Sequence, residues 1–352
     1  MPGNALDRTN AEGAAVARWL LACCALVAAI VVVGGATRLT RSGLSIVEWQ
    51  PLMGAIPPLG EADWQVLFSK YQQTPEYRLV NQGMGLDAFK SIFWWEYAHR
   101  LLGRLIGIVF MVPLVWFWVR GSIDRRLGVR LFGVFLLGGL QGALGWYMVK
   151  SGLIDDPKVS HFRLTAHLGL ALLIFSAMLW LALGLLFPPR RLFADSPRLL
   201  GRVALTTTVL VFVMALSGGL VAGIRAGYAY NTFPLMNGHW IPPELFMIEP
   251  WWRNFFYNMA TVQFDHRMLA YVLILLVGWL WWRVQATEST LRARRSVALL
   301  AFALALQVGL GIATLLYQVP VVLGVLHQGG AVLVLTGAIL TAHALWNEIR
   351  SG

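Results

Sequence analysis

The sequence predicts an all-α membrane protein whose eight transmembrane helices form two parallel-repeat four-helix bundles. Three observations carry this. Of the 352 residues, 58% are hydrophobic and only 13% charged, with a mean hydropathy of +0.64; a soluble domain is about 25% charged. Apolar stretches of about 20 residues, the length a helix needs to cross a bilayer, recur along the whole chain. The second half of the chain also repeats, in order, the motifs of the first.

The spans are expected near residues 17–36, 98–119, 130–149, 164–186, 200–222, 266–284, 296–316 and 322–346, and no soluble domain is left over. The net charge of +11 is of a kind that can signal nucleic acid. Here, however, the arginines gather in short loops between spans, so no nucleic-acid partner is expected. Loop 120–130 carries Arg120, Arg125, Arg126 and Arg130; loop 187–202 carries Arg190, Arg191, Arg198 and Arg202; loop 283–295 carries Arg283, Arg292, Arg294 and Arg295. The link after the seventh span has no Lys or Arg. The positive-inside rule makes the arginine loops cytoplasmic and both termini cytoplasmic. Loop 150–163 weakens the contrast with Lys150, Lys158 and Arg163, although Asp155 and Asp156 accompany them. The polar stretch ending near Arg18 is not expected to be a cleaved signal, since further spans follow it. The only cysteines, Cys23 and Cys24, adjoin within the first span and offer no metal-ligand spacing.

Two long segments, 37–97 and 223–265, then lie outside. The first contains Trp64, Leu67, Phe68 and Tyr71 behind Asp63, an i, i+3, i+4, i+7 stripe that predicts an amphipathic helix on the membrane surface or on a cofactor. The repeat is legible throughout. Gly34-Gly35 and Arg41-Ser42-Gly43 are answered by Gly218-Gly219 and Arg225-Ala226-Gly227. Pro51-Leu52-Met53 and Ile56-Pro57-Pro58 are answered by Pro234-Leu235-Met236 and Ile241-Pro242-Pro243. Leu140-Gln141 and Leu144-Gly145 return as Leu306-Gln307 and Leu310-Gly311. Four spans per half is an even number, so both halves share one orientation about an axis along the membrane normal.

Of seven histidines, four obey the repeat: His99, His167, His266 and His327. They fall on the even-numbered spans, within about the first two turns, and therefore at one depth near the outer face. Ionisable groups inside a membrane are costly and tend to be functional. Two neutral imidazoles facing each other across a helix bundle suit the axial positions of a haem iron. Hydrogen bonding between helices is the commoner explanation of a single such histidine, but four at repeat-related positions favour ligation. Zinc would usually take a third or fourth protein ligand, and copper would more naturally recruit Met or Cys. Gly169 and Gly329, two residues beyond a histidine, are expected to let a porphyrin plane approach the backbone; glycine serves close helix packing equally often. Arg100 and Arg267 are candidate partners of haem propionates. Glu96 shares a helix face with His99, while its counterpart is Gln263, next to Asp265. This asymmetry suggests that the first half does chemistry and the second transfers electrons. His161, placed in a loop, His239 and His343 have no repeat partner and are assigned no role.

On the motifs Glu96-Tyr97-Ala98-His99-Arg100, Arg163-Leu164-Thr165-Ala166-His167-Leu168-Gly169, Asp265-His266-Arg267 and Leu326-His327-Gln328-Gly329, the chain resembles the haem A synthase family over nearly its whole length. The resemblance implies oxidation of the C8 methyl of haem O to a formyl group, giving haem A for cytochrome c oxidase. It implies that residues 1–190 form the half that holds substrate haem O between His99 and His167, with Glu96 the catalytic carboxylate. Residues 191–352 would form the half that holds haem b through His266 and His327. One branch of the family has a cysteine pair in the first outer loop; its absence here matches the alphaproteobacterial and mitochondrial branch, and the short N-terminus points to a bacterial inner-membrane protein. Implied partners are a haem O synthase, cytochrome c oxidase assembly factors and an electron donor such as a ferredoxin.

The rival reading is a non-enzymatic di-haem b electron-transfer protein, which needs the four histidines but not Glu96. A haem exporter would need exchangeable ligation in both halves, and prenyl transfer onto haem would show Asp-rich motifs, which do not occur. The loop charges generate a topological prediction: compartment reporters fused at Ser122 and at Asn237 give opposite signals, and matching signals at the two sites refute the orientation.

Overall fold

In a computed structural model the chain is described over residues 3–49, 53–153, 157–188 and 198–349. Pro51 and Leu52 of the repeat, Asp155, Asp156, Arg190, Arg191 and the expected 190/191 boundary lie outside the described residues. The helices are α1 (Gly3–Leu39), α2 (Glu61–Gln72), α3 (Pro75–Leu79), α4 (Leu86–Val119), α5 (Arg125–Lys150), α6 (His161–Leu186), α7 (Arg198–Gly223), α8 (Asn254–Tyr257), α9 (Met259–Ala286), α10 (Leu291–Leu316) and α11 (Val321–Ile349). Among the described residues there is no strand, and eight helices are long and apolar enough to cross a membrane. The protein is a multi-pass, all-α membrane protein.

All eight expected spans are present, and the largest difference is at α4. It begins at Leu86 and runs past the bilayer, so His99 lies about four turns inside its helix rather than two. The extension exists because Phe89, Phe93 and Tyr97 at its outer end bury themselves against α2. The predicted amphipathic helix is there as α2, but its Trp64, Phe68 and Tyr71 stripe packs on α4 instead of on lipid or a cofactor. Tyr71 stacks on Phe89 at 5.1 Å, Trp64 meets Phe93 edge-on at 4.9 Å, and the Tyr71 hydroxyl accepts from Asn81 at 2.7 Å. The first outer segment is therefore a folded cap with its own small core.

Helices α1, α6, α7 and α11 pack on one another at the centre. Around them α4 lies on α1 and α5 on α6; α9 correspondingly lies on α7 and α10 on α11. Repeat-related helices thus make the same neighbours, with one difference. Helices α9 and α10 pack closely, whereas α4 and α5 touch little. On α5 the faces of Gly138, Gly139 and Gly142 open onto empty space; the repeat sets Leu304, Ala305 and Val308 there on α10, and Leu304 is buried.

Both α1 and α7 end at an arginine in the left-handed region, Arg41 at φ 55° and Arg225 at φ 59°, the usual way to stop a helix but rarely with a side chain this large. Glu76 of α3 is buried within electrostatic reach of both, and of Arg38. Burial raises its carboxyl above the usual range, with Arg41, Arg225 and Arg38 pulling the other way.

The cap generates a prediction. Tyr71→Ala deletes a fully buried ring and costs the segment about 3–5 kcal/mol of packing, the scale for a core aromatic. Hydrogen exchange or proteolysis confined to residues 53–97 reads this; protection equal to wild type would show that the aromatic cluster does not hold the cap.

Candidate functional site

The four repeat-related histidines come from α4, α6, α9 and α11, all at the end of the bundle that carries the long segments. They form two pairs within electrostatic reach, His99 with His167 and His266 with His327. Each imidazole is accommodated by a glycine on a neighbouring helix. A Cβ on Gly34 of α1 would lie 3.1 Å from His99 Nε2, and one on Gly218 of α7 would lie 3.3 Å from His266 Cε1. A Cβ on Gly145 of α5 would lie 3.0 Å from His167 Cε1, and one on Gly311 of α10 would lie 2.8 Å from His327 Cε1. Four glycine-to-histidine contacts therefore obey the repeat, and the sequence reading noted the glycines without assigning them this task.

One turn before each of the last two glycines stands a glutamine. Gln141 Nε2 donates to the His167 carbonyl at 3.0 Å, and Gln307 Nε2 donates to the His327 carbonyl at 2.8 Å. The Nδ1 atoms of His167 and His327, and the Oε1 atoms of both glutamines, are buried without a partner. An orphaned polar atom in an apolar interior costs about 1–3 kcal/mol. The same atoms are orphaned at equivalent positions in both halves. Among the described residues no three His, Cys, Asp or Glu side chains gather, so a metal held by protein alone is unsuited. Two imidazoles, glycine cradles and apolar walls instead fit a planar macrocycle carrying its own four donors.

Gly169 and Gly329 take the second of the two uses the sequence allows, close helix packing. A Cβ on Gly169 would lie 2.8 Å from Leu216 of α7, and one on Gly329 would lie 3.2 Å from Val32 of α1. Gly35 and Gly219 likewise face Gln328 and Thr165. The small-residue packing brings α1 against α11 and α6 against α7. Each Gly-Gly pair therefore divides its work, the first residue seating a histidine and the second admitting a central helix.

Glu96 and Gln263 are each only 3% exposed. Glu96 Oε1 accepts from Arg100 Nε at 3.0 Å and Nη2 at 2.6 Å, while Oε2 accepts from Ser45 Oγ at 2.8 Å and the Ile46 amide at 2.9 Å. Arg100 also donates to the carbonyls of Ile46 and Glu48. In the second half, Gln263 Oε1 accepts from Arg267 at 3.0 Å and its Nε2 donates to the Ala226 carbonyl at 2.9 Å. Arg267 donates to the carbonyls of Tyr230, Pro234 and Leu235. Both residues thus pin an outer segment through an arginine. The Glu–Gln difference matches what each side chain faces: an N–H that needs an acceptor at Ile46, a C=O that needs a donor at Ala226. Arg100 keeps one of its five donors unused, and Arg267 Nε is buried without a partner. Arg100 also lines a depression of about 240 Å³ with Trp49, Trp146 and Lys150.

The remaining histidines have structural surroundings. His161 opens α6 and rests on Phe162 and Tyr257. His239 bridges back to Met236. His343, fully inside the opposite end, accepts from Arg292 at 2.8 Å and packs on Trp180. Cys23 and Cys24 are buried and free.

The chain is similar to a haem A synthase of Nitrosospira multiformis, 58% identical over 341 residues, 96% of each chain. A haem A synthase of Nitrosomonas eutropha is 54% identical over 98% of each chain, and one of Parvibaculum lavamentivorans is 50% identical over 97% of each. The family profile described as cytochrome oxidase assembly protein matches residues 17–339, which takes in every motif histidine. The chain belongs to the COX15-CtaA family of cytochrome oxidase assembly proteins.

Proposed function

We propose that the chain is a haem A synthase, an oxidoreductase that converts the C8 methyl of haem O to a formyl group and so supplies haem A for cytochrome c oxidase. The observation that carries this is the two histidine pairs within electrostatic reach, each ring against a glycine, in a chain similar over nearly its whole length to haem A synthases. Residues 1–190 and 191–352 act as two four-helix bundles of like orientation, a division supported by the matching neighbours of repeat-related helices. The first takes substrate haem O between His99 and His167. The second holds haem b between His266 and His327, which when bound supplies electron transfer.

The chain's own residues orient and enclose. Gly34 and Gly145 leave room for the first pair of imidazoles, and Gln141 fixes the helix position of His167. The unused donor of Arg100, beside Lys150, suits a substrate propionate; Arg267 Nε suits one in the second half. Glu96 is the carboxylate of the substrate pocket, one turn from His99. Four donors hold it, so it works as a preorganised group rather than a swinging one. The enzyme is a bacterial inner-membrane protein with both termini cytoplasmic, a reading supported by its arginine loops. It works with a haem O synthase, with oxidase assembly factors and with an electron donor such as a ferredoxin.

Two tests follow from this reading. His266→Ala or His327→Ala is expected to remove haem b, because the second pocket would lose one of the two side chains that would hold it. His99→Ala or His167→Ala spares most haem b and abolishes haem A formation; pigment extraction and chromatography read both, and the opposite pattern reverses the assignment. Glu96→Gln keeps volume but sets an amide N–H against the Ile46 N–H. Haem O still binds, and haem A falls about 10²-fold or more, the scale for a group acting in the reaction. Haem A within about threefold of wild type at matched protein level would sink a catalytic role, and loss of haem O as well would make Glu96 a support of the Ser45–Ile46 turn alone.

A further inference from the structure

The two histidine pairs share their glycines and glutamines, and they differ in what reaches the imidazole rings. On the α6 and α11 side Gln141 and Gln307 make the same bond to the histidine carbonyl, and His167 and His327 leave the same Nδ1 unpartnered, although Gln141 Nε2 also lies 3.4 Å from His167 Nε2. On the α4 and α9 side they differ. The Oγ of Ser217 lies 3.1 Å from His266 Nδ1, whereas the repeat puts Val33 where Ser217 stands, and no hydrogen bond to the His99 ring is found among the described residues. The rings are also turned differently against their equivalent glycines. His266 presents its Cε1 corner to Gly218; His99 presents its Nε2 and Cδ2 edge to Gly34.

We propose that Ser217 is the positioning residue that makes the second pocket the permanent haem site, and that Val33, by withholding that bond, leaves His99 free to turn as substrate haem enters and leaves. This rests on the reading that residues 191–352 hold haem b. The chemistry is that of an outer-shell partner. An imidazole binds iron through Nε2 only when its hydrogen sits on Nδ1. Donating that hydrogen to Ser217 Oγ fixes the tautomer and the ring plane, and strengthens Nε2 as a donor. With valine, neither the tautomer nor the plane is selected, and the ring settles with its iron-binding edge towards α1. The packing runs in the same sense: α9 and α10 of the second half pack closely, while α4 and α5 of the first touch little.

The test uses the full-length purified protein with its haem, comparing wild type, Ser217→Val, Ser217→Thr, Val33→Ser and His266→Ala. Release of haem b to excess apomyoglobin and its midpoint potential are measured. Ser217→Val is expected to speed release about 10- to 100-fold, the cost typical of losing an outer-shell bond to a ligand histidine. It also raises the potential, because a weaker imidazole donor favours the ferrous state; Ser217→Thr restores both. Val33→Ser, co-expressed with a haem O synthase, retains more haem in the first pocket through purification. Wild-type release and potential in Ser217→Val, while His266→Ala loses haem b, would overturn the role of Ser217 alone. Faster release at an unchanged potential would also overturn it, since that is a packing defect. Full haem b in His266→Ala would overturn the assignment of the second pocket, and Ser217 with it.

Discussion

An imidazole carries two ring nitrogens into an apolar bundle, and the end of this protein that carries the long segments is arranged around placing four such rings. Such a ring is wide, and helices packed through leucines would not admit it. Glycine at 34, 145, 218 and 311 lets a neighbouring backbone approach the ring edge directly. The requirement also fixes the helix register, because a shift by one residue would set a Cβ where the ring lies. The second glycine of each Gly-Gly pair uses the same small volume to seat the central helices, so pocket and core share one constraint.

The outer segments close the arrangement from above. Glu96 and Gln263 lie one turn from their histidines and each reaches an arginine four residues on, which in turn holds several carbonyls of an irregular segment. A backbone with no helix or sheet of its own has carbonyls to satisfy, and a five-donor guanidinium does this economically. The acid and the amide are thus explained in part by the polarity of the group each one meets. Chemistry at Glu96, if withdrawn from the protein, would still leave a reason for a carboxylate there.

The halves differ in how closely their helices pack around the histidines. The second is tight: α9 meets α10, Leu304 is buried between helices, and Ser217 tethers a ring. The first is loose: α5 carries open glycines and Val33 tethers nothing. Tight enclosure suits a group that stays, and loose enclosure suits one that is exchanged in every turnover.

The sequence by itself determined the membrane class, the eight spans, the repeat and the four histidines, because each is a matter of local composition or of spacing along one helix. Hydropathy acts span by span, and a histidine in the first turns of an even-numbered span lies at the same end of the bundle whatever its neighbours are. Contacts between helices were not legible in that way. That Gly169 and Gly329 meet Leu216 and Val32, that the Trp64–Tyr71 stripe folds back on α4, and that Glu96 meets an amide where Gln263 meets a carbonyl depend on which face of one helix turns to another. A repeat in sequence gives equivalent positions but not what each position faces, and only tertiary packing decided that Ser217 would reach the His266 ring while no such bond forms at His99.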